Sequence, residues 1–489
     1  MSEENFQPDR TLEDFFDHEY LAYANYVVSN RAIPSVVDGF KPAQRKIAFA
    51  ANKLWKSGSE KPMKVFQLGG QAAALSFFHH GSLDATIIGM TQEFKNSMPI
   101  FQGIGQFGSL RSPEAGAPRY VGVKFNENFR RLYKDFELVT PQYEEGEEIE
   151  PQFFLPIIPT VLLNGGSGIA VGFATNILNR HPLDLISACV EVLQTGSVTM
   201  VLKPWIKGFH GTVEPVQGAN KTWIFAGEHE VKNTSTVEIT EIPPSFTYEK
   251  YESLLDGLVE KGILHSYEDF SSDRVQYLLK FPRQTLLDLQ SREKLSATLK
   301  MREQETENLT TLDESGKLKI FSRAEDLVVH FVNFRLSYYE KRKTYLLKEL
   351  DREIRILDAR AQFIKAVIDG KIKIANVKKT EVIQQIKDLS IPAQDGSHEF
   401  LLSMPVYSLT QERYQDLLDK LAEKRTERSR IEGTAPRTFY LEDLEDLRKK
   451  LSASFKKENR VPKPEKKFKT IENDIYEFLT RGEDDESEG

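Results

Sequence analysis

LKELDREIRILDARAQFIKAVI, residues 347–368, carries its apolar side chains at a spacing that a long, partnered helix satisfies. Leu347, Leu350, Ile354, Leu357, Ala361, Ile364 and Ile368 follow one another in 3-4-3-4-3-4 steps, the a/d stripe of a coiled coil. At 1.5 Å per residue the stripe spans about 33 Å. Its partner is read downstream in TQERYQDLLDKLAEKRTERSRIE (410–432), whose apolar side holds Tyr414, Leu417, Leu418, Leu421 and Ile431. Between the two lie DGKIKIANVKKTEVIQQI (369–386) and LLSMPVYSL (401–409). The pattern predicts an antiparallel arm with a small globular tip. An ordinary helical domain is the plainer alternative, and the length and regularity of the stripe oppose it.

Toward the N-terminus the period changes. Residues 205–315 alternate strands such as STVEITEI (235–242) and VQYLLKF (275–281) with short helices, as an α+β domain does. EPQFFLPIIPTVLLNGGSGIAVGFATN (150–176) is apolar, but Pro151, Pro156 and Pro159 exclude a single helix. It is read as extended segments around a tight glycine loop. Residues 65–110 suit small helices and glycine-bounded turns, the make-up of a winged-helix unit. Residues 31–64 hold Arg31, Lys41, Arg45, Lys46, Lys53, Lys56, Lys61 and Lys64 against only Asp38 and Glu60, a net +6. Such a face fits a polyanion or is a solvated helix surface. TLEDFFDHEYLAYANYVVSN (11–30) reads as an amphipathic helix. At the other end KKENRVPKPEKKFK (456–469) and EDDESEG (483–489) form a charge-segregated tail.

The composition narrows the class. The chain has 489 residues, 40% hydrophobic, with a formal net charge of −8, so the basic segment stands out against an acidic whole. Its one cysteine, Cys189, sits in an apolar run and is read as a buried small hydrophobe. No disulfide within the chain is possible, which points to a reducing, cytoplasmic setting. No apolar run reaches the roughly 20 residues of a membrane helix, and no signal pattern opens the chain.

GAPRYVGV (116–123) poses the chemical question. Gly116, Pro118 and Gly122 place the Arg119–Tyr120 pair on a loop or short turn. A tyrosine there is a surface residue, a packing residue or a nucleophile.

Several stretches then point one way in order: RAIPSVVDGFKPAQRK (31–46), KVFQLGG (64–70), SFFHHG (76–81), IGQFGS (104–109), PRY (118–120) and PIIPTVLLNGGSGIAVG (156–172). PWIKGFHGTVE (204–214), FVNFRLSYYEKRK (331–343) and LLSMPVYSLTQERY (401–414) continue the series. Together they closely resemble the DNA breakage-reunion subunit of type IIA DNA topoisomerases, over residues 12–435. HHG and GQFGS look like the eukaryotic enzymes. Yet the chain starts where the cleavage half starts, which resembles the split form of the family found in T-even phages and, if phage-encoded, implies a host bacterial cytoplasm.

The resemblance implies a mixed α+β, multidomain fold. Its expected parts are an N-terminal helical segment (1–30), a winged-helix domain with the catalytic tyrosine (31–150) and an α+β tower (151–320). A coiled-coil arm with its C-gate (321–435) and a C-terminal helix with charged tail (436–489) follow. It implies Tyr120 as the nucleophile on a DNA phosphodiester, Arg119 as the transition-state arginine and His80 as proton relay or phosphate ligand. It implies Arg31, Lys41, Arg45 and His79 as DNA contacts, Asp38 as an orienting acid, and Ile169 as a wedge between base pairs. For Lys46 a generic phosphate contact is favoured. The acidic YEEGEEIE (143–150) is read as a linker, so no metal site is expected in this chain. Mg²⁺ and ATP are expected on a partner large subunit that carries the ATPase and metal site. The other implied partners are double-stranded DNA and a second copy of this chain. The expected reaction is ATP-dependent passage of one duplex through a transient staggered break. Two rivals are a non-catalytic DNA-bending or bridging protein on the same scaffold and a tyrosine recombinase.

Overall fold

The 347–368 stripe lies on one helix of 45 residues, Ala324–Ile368, in the computed structural model. That structure describes residues 15–55, 61–78, 81–219, 221–272, 274–394, 396–405, 407 and 409–458. Glu325 and Asp326 sit in the helix's first turn, where they complement its dipole. It ends at Asp369 and Gly370, whose φ of +71° reverses the chain. A second helix, Gln411–Gly433, starts at Thr410, whose hydroxyl accepts the Arg413 N–H. The pair is antiparallel. Lys343 donates to the Glu432 carbonyl, Asp351 pairs with Arg428, Glu353 with Lys424 and Asp358 with Arg425. Ala361, Ile364 and Leu417 pack between the helices with Leu357, Tyr414 and Leu418.

The stripe stops one position early, because Ile368 is 42% exposed. It is the last helical residue, and the final turns present Phe363 and Ala366 instead to the tip. There Ile372, Val382, Ile386, Ile391 and Leu401 form a small core with them.

The helix base is anchored by charge. Arg335 is fully buried on Asp135 and the Pro156 carbonyl. Arg342 bridges Asp135 and Asp443, and Asp443 also takes Lys134 and the Tyr339 hydroxyl. Asp443 lies on a third helix, Pro436–Glu458, whose Tyr440 ring stacks on Tyr339 at 4.4 Å. The chain divides into two compact units, the first ending at Leu447 and the second beginning at Arg448.

Upstream, helices Pro42–Leu54, Val65–Leu75 and Asp84–Thr91 surround a three-stranded antiparallel sheet. Its order is Met63–Lys64, Gly122–Phe125, Phe101–Ile104, with Lys64 opposite Gly122 and Phe101 opposite Phe125. Phe101, Phe125 and Phe129 stack at its centre, and the Trp55 ring meets Phe101 and Phe125 edge-on.

The α+β region contains a four-stranded antiparallel sheet that pairs Thr236–Glu241 with Tyr277–Lys280, as the alternation predicts. Helices Tyr248–Glu260 and Arg283–Ser291 contribute Tyr251, Leu255 and Leu286 to its core.

Residues 150–176 depart from the reading in part. Thr160–Leu163 forms a helical turn directly after Pro159, a place where proline costs no hydrogen bond. The glycine loop then forms the hairpin Gly166–Ile169/Ala174–Ile177. The N-terminal segment is helical from Phe15 to Ala32. Its burial begins only at Val27, and Phe15, Phe16, Tyr20, Leu21 and Tyr23 stay exposed. Residues 11–14, Lys56 and the tail from 459 onward lie outside the described residues. Cys189 is fully buried, and burial pushes its thiol pKa up. Among the described residues no helix is long and apolar enough to cross a membrane.

Candidate active site

Tyr120 closes a turn, Pro118–Tyr120, just before strand Gly122–Phe125. Its side chain is 71% exposed. Its backbone is held firmly. The Tyr120 N–H donates to the Ala117 carbonyl, and the Gly116 N–H to that of Gln106. The first turn of helix Val65–Leu75 supplies two more bonds, Val65 N–H to the Val121 carbonyl and Phe66 N–H to that of Pro118. These N–H groups have no partner within the helix, so the loop satisfies them. Lys64 donates its ammonium to the Tyr120 carbonyl at 2.6 Å. The Arg119 guanidinium lies 5.7 Å from the Tyr120 ring centre and is exposed. The result is a phenol and a guanidinium with no hydrogen-bond partner among the described residues, carried on a firmly bonded main chain.

The second group gathers at the start of the basic segment. Ser35 to Phe40 forms a closed turn in which Gly39 has φ +72°. A Cβ on Gly39 would meet the Val161 nitrogen at 2.6 Å, so only glycine fits. The turn buries Asp38 completely. Asp38 accepts the Phe40 and Phe154 N–H groups and binds Arg45 through two contacts of 2.7 and 3.0 Å. Burial alone lowers the Arg45 pKa, but Asp38 more than offsets it and the guanidinium ends above its ordinary value. The Arg45 side chain is only 12% exposed. Its geometry therefore serves the turn, and the acid orients the base as the sequence suggests. Lys46 is likewise engaged, with Glu150 at 2.6 Å and the Ser76 carbonyl at 2.8 Å.

Lys41 reaches across to the Gly166–Ile169 strand and donates to the Ser167 carbonyl at 2.7 Å. Half-burial lowers its pKa, which an approaching anion would reverse. Gly168 packs so closely on Ala32 that a Cβ would stand 2.2 Å from the Ala32 carbonyl oxygen. The neighbouring Arg31 is exposed, so Arg31, Lys41 and the hairpin form one surface. Ile169, at the hairpin's tip, is 88% exposed. An isoleucine so bare on so fixed a scaffold has no packing role among the described residues.

The hairpin is anchored from below. Asn176 and Asn308 exchange both main-chain hydrogen bonds, and the Asn308 amide donates to the Ala174 carbonyl. The Leu178 N–H donates to Glu307, which forms a buried two-pronged pair with Arg180 at 3.0 and 2.7 Å. Sequence reasoning missed this pair. Its two members stand 127 positions apart, and no local pattern in the sequence links them.

His79 and His80 lie outside the described residues. Among the described residues no group of three or more His, Cys, Asp or Glu is placed to hold a metal ion. In the sequence Lys64 is only one more charge of the basic segment, and its contact with Tyr120 is the main addition the structure makes.

A family model for the A-subunit of DNA gyrase/topoisomerase IV matches residues 31–445. The chain is 33% identical to the DNA topoisomerase medium subunit of Enterobacteria phage T4, across 90% of this chain and 99% of that protein. It is 31% identical to the mitochondrial DNA topoisomerase 2 of Dictyostelium discoideum, across 92% of this chain and 36% of that one. The crystal structure of the Plasmodium falciparum topoisomerase II DNA-binding, cleavage and re-ligation domain superposes with a TM-score of 0.81 at 29% identity. It covers 92% of this chain and 66% of that one.

Proposed function

The chain belongs to the family of DNA gyrase/topoisomerase IV A-subunits, and on that premise we propose that it is the DNA cleavage and religation subunit of an ATP-dependent type II topoisomerase. The observation that carries the mechanism is Tyr120, an exposed phenol on a loop fixed by five hydrogen bonds, with Arg119 beside it.

The phenol oxygen attacks a backbone phosphorus and the P–O3′ bond breaks. The 5′ phosphate stays on Tyr120, and the 3′ oxygen leaves with a proton. The phosphotyrosyl ester conserves the bond energy, so the 3′ hydroxyl reverses the step and reseals the strand. Arg119 neutralises charge on the phosphorane oxygens. His80 relays the proton, and His79 contacts phosphate. Arg31 and Lys41 lie along the duplex backbone, and Arg45 holds the turn that presents them. Ile169 enters a base step and bends the DNA, which its exposure and anchored hairpin support.

In this proposal the three-helix, three-strand unit within 31–150 is the winged helix, 151–320 the tower, and 321–435 a coiled-coil arm whose tip is the C-gate. Two copies pair, so two tyrosines open both strands with a stagger. In the same reading the partner large subunit binds Mg²⁺ and ATP. The similarity to a phage medium subunit supports such a partner and a host cytoplasmic setting.

The test mixes this chain with its large-subunit partner, Mg²⁺, ATP and a single plasmid topoisomer. Passage of a duplex through a double-strand gate changes linking number in steps of two. Steps of one, or relaxation without ATP, would overturn the proposal.

A further inference from the structure

We infer that Lys64 is a positioning residue for the nucleophile, a role that rests on the reading of Tyr120 as the attacking group. Three consecutive residues hold one short loop: Lys64 takes the Tyr120 carbonyl, Val65 the Val121 carbonyl and Phe66 the Pro118 carbonyl. The last two bonds are main chain. The first is a side chain's, and it falls on the tyrosine itself. It fixes the peptide plane that follows Tyr120, and with it the direction of the Cα–Cβ bond. The phenol stays free to meet a phosphate.

Two plainer explanations of Lys64 fare worse. Its main chain caps the helix, the Lys64 N–H donating to the Gln67 side chain, but its side chain makes no cap hydrogen bond, and a cation directly before Val65–Leu75 opposes the positive N-terminal end of the helix dipole. Nor is it simply a spare phosphate contact. Its ammonium is engaged at 2.6 Å, and hydrogen bonds with a charged donor are the strong ones. Its two remaining donors leave room for a phosphate, but only the bond to the Tyr120 carbonyl bears on how the tyrosine is held. The strand register adds to the case. Lys64 pairs with Gly122, so its side chain starts from a frame already aligned with the loop. Misplacing an attacking atom by about 1 Å costs up to roughly a hundredfold in rate.

The test uses the full chain with its large-subunit partner, Mg²⁺ and a labelled duplex. Lys64→Met and Lys64→Arg are compared with wild type. The readouts are the single-turnover rate of covalent adduct formation at saturating DNA, the DNA Kd, and the slope of affinity against salt. Lys64→Met is expected to lower the adduct rate tenfold or more while Kd and salt slope stay unchanged. Lys64→Arg, which keeps a cationic donor, restores most of the rate. A full rate in Lys64→Met overturns the role. So does a salt slope reduced by about 0.9 with an unchanged rate on bound DNA, the mark of a phosphate contact. Equal loss in Lys64→Arg and Lys64→Met, tracking a lowered melting temperature, also overturns it. Absence of any adduct from wild type instead defeats the reading of Tyr120 itself.

Discussion

The Lys41 ammonium donates a 2.7 Å hydrogen bond to the Ser167 carbonyl, two residues before Ile169. One lysine thus belongs both to the basic surface and to the hairpin that carries the exposed isoleucine. Lys41→Met is expected to weaken DNA binding and to lower the salt slope by about 0.9, the share of one phosphate contact. It is also expected to reduce DNA bending, because the hairpin loses its brace. Titrations at several salt concentrations, with a fluorescence-transfer bend assay, separate the two effects.

The hairpin allows the wedge to be tested apart from its support. Ile169→Ala removes a side chain that touches little, so stability is expected to change by less than about 0.5 kcal/mol while bending and cleavage fall. Gly168→Ala does the reverse in origin. Its methyl would collide with the Ala32 carbonyl, so it is expected to destabilise the protein by about 1–3 kcal/mol as well as impair bending. Thermal melting alongside the bend assay distinguishes the variants.

Asp38 and Arg45 make the strongest structural prediction. Asp38→Ala strands a buried guanidinium and leaves two main-chain N–H groups unpaired, with an expected cost of about 3–5 kcal/mol. Arg45→Met strands the acid at a similar cost. A purely DNA-contacting Arg45 would instead leave denaturant unfolding unchanged and alter only the salt slope.

At the N-terminal part of helix Ala324–Ile368 the prediction concerns pH. Burial pushes Asp443 up, but Arg342 and Lys134 more than offset it, so its pKa is lower in the folded protein than in the unfolded chain. A depressed carboxylate contributes stability above its unfolded value of about 3.9, and that contribution is lost as pH falls through the folded value. Melting temperature is expected to fall on acidification below about pH 4, and Asp443→Asn to flatten that part of the profile. An unaltered acid limb in Asp443→Asn would count against the network.

The two long antiparallel helices, the strand pair at 236 and 277 and the turn at Tyr120 were legible in the sequence because each rests on local periodicity or on Gly and Pro chemistry. Leu357, Ala361 and Ile364 of one stripe pack with Leu417 of the other, although spacing alone did not say which residues would meet. The Thr160–Leu163 turn was not legible, since prolines that forbid a long helix still permit a short one beginning after them. The charge pairs were hidden for another reason. Arg45 with Asp38 is near in sequence, but Arg180 with Glu307 and Arg335 with Asp135 join distant segments. No period encodes such pairs. Thus Lys64 read as one charge among eight.

Everything proposed for the site depends on Tyr120 making the covalent bond. The direct measurement combines the chain with its large-subunit partner, Mg²⁺ and supercoiled plasmid, quenches with SDS, and compares wild type with Tyr120→Phe. Wild type is expected to yield linear DNA with protein on both 5′ ends, and Tyr120→Phe none while binding DNA with unchanged affinity. Adduct that persists in Tyr120→Phe would place the nucleophile elsewhere. Wild type that binds and bends DNA but leaves no adduct would refute cleavage and make the chain a bending protein.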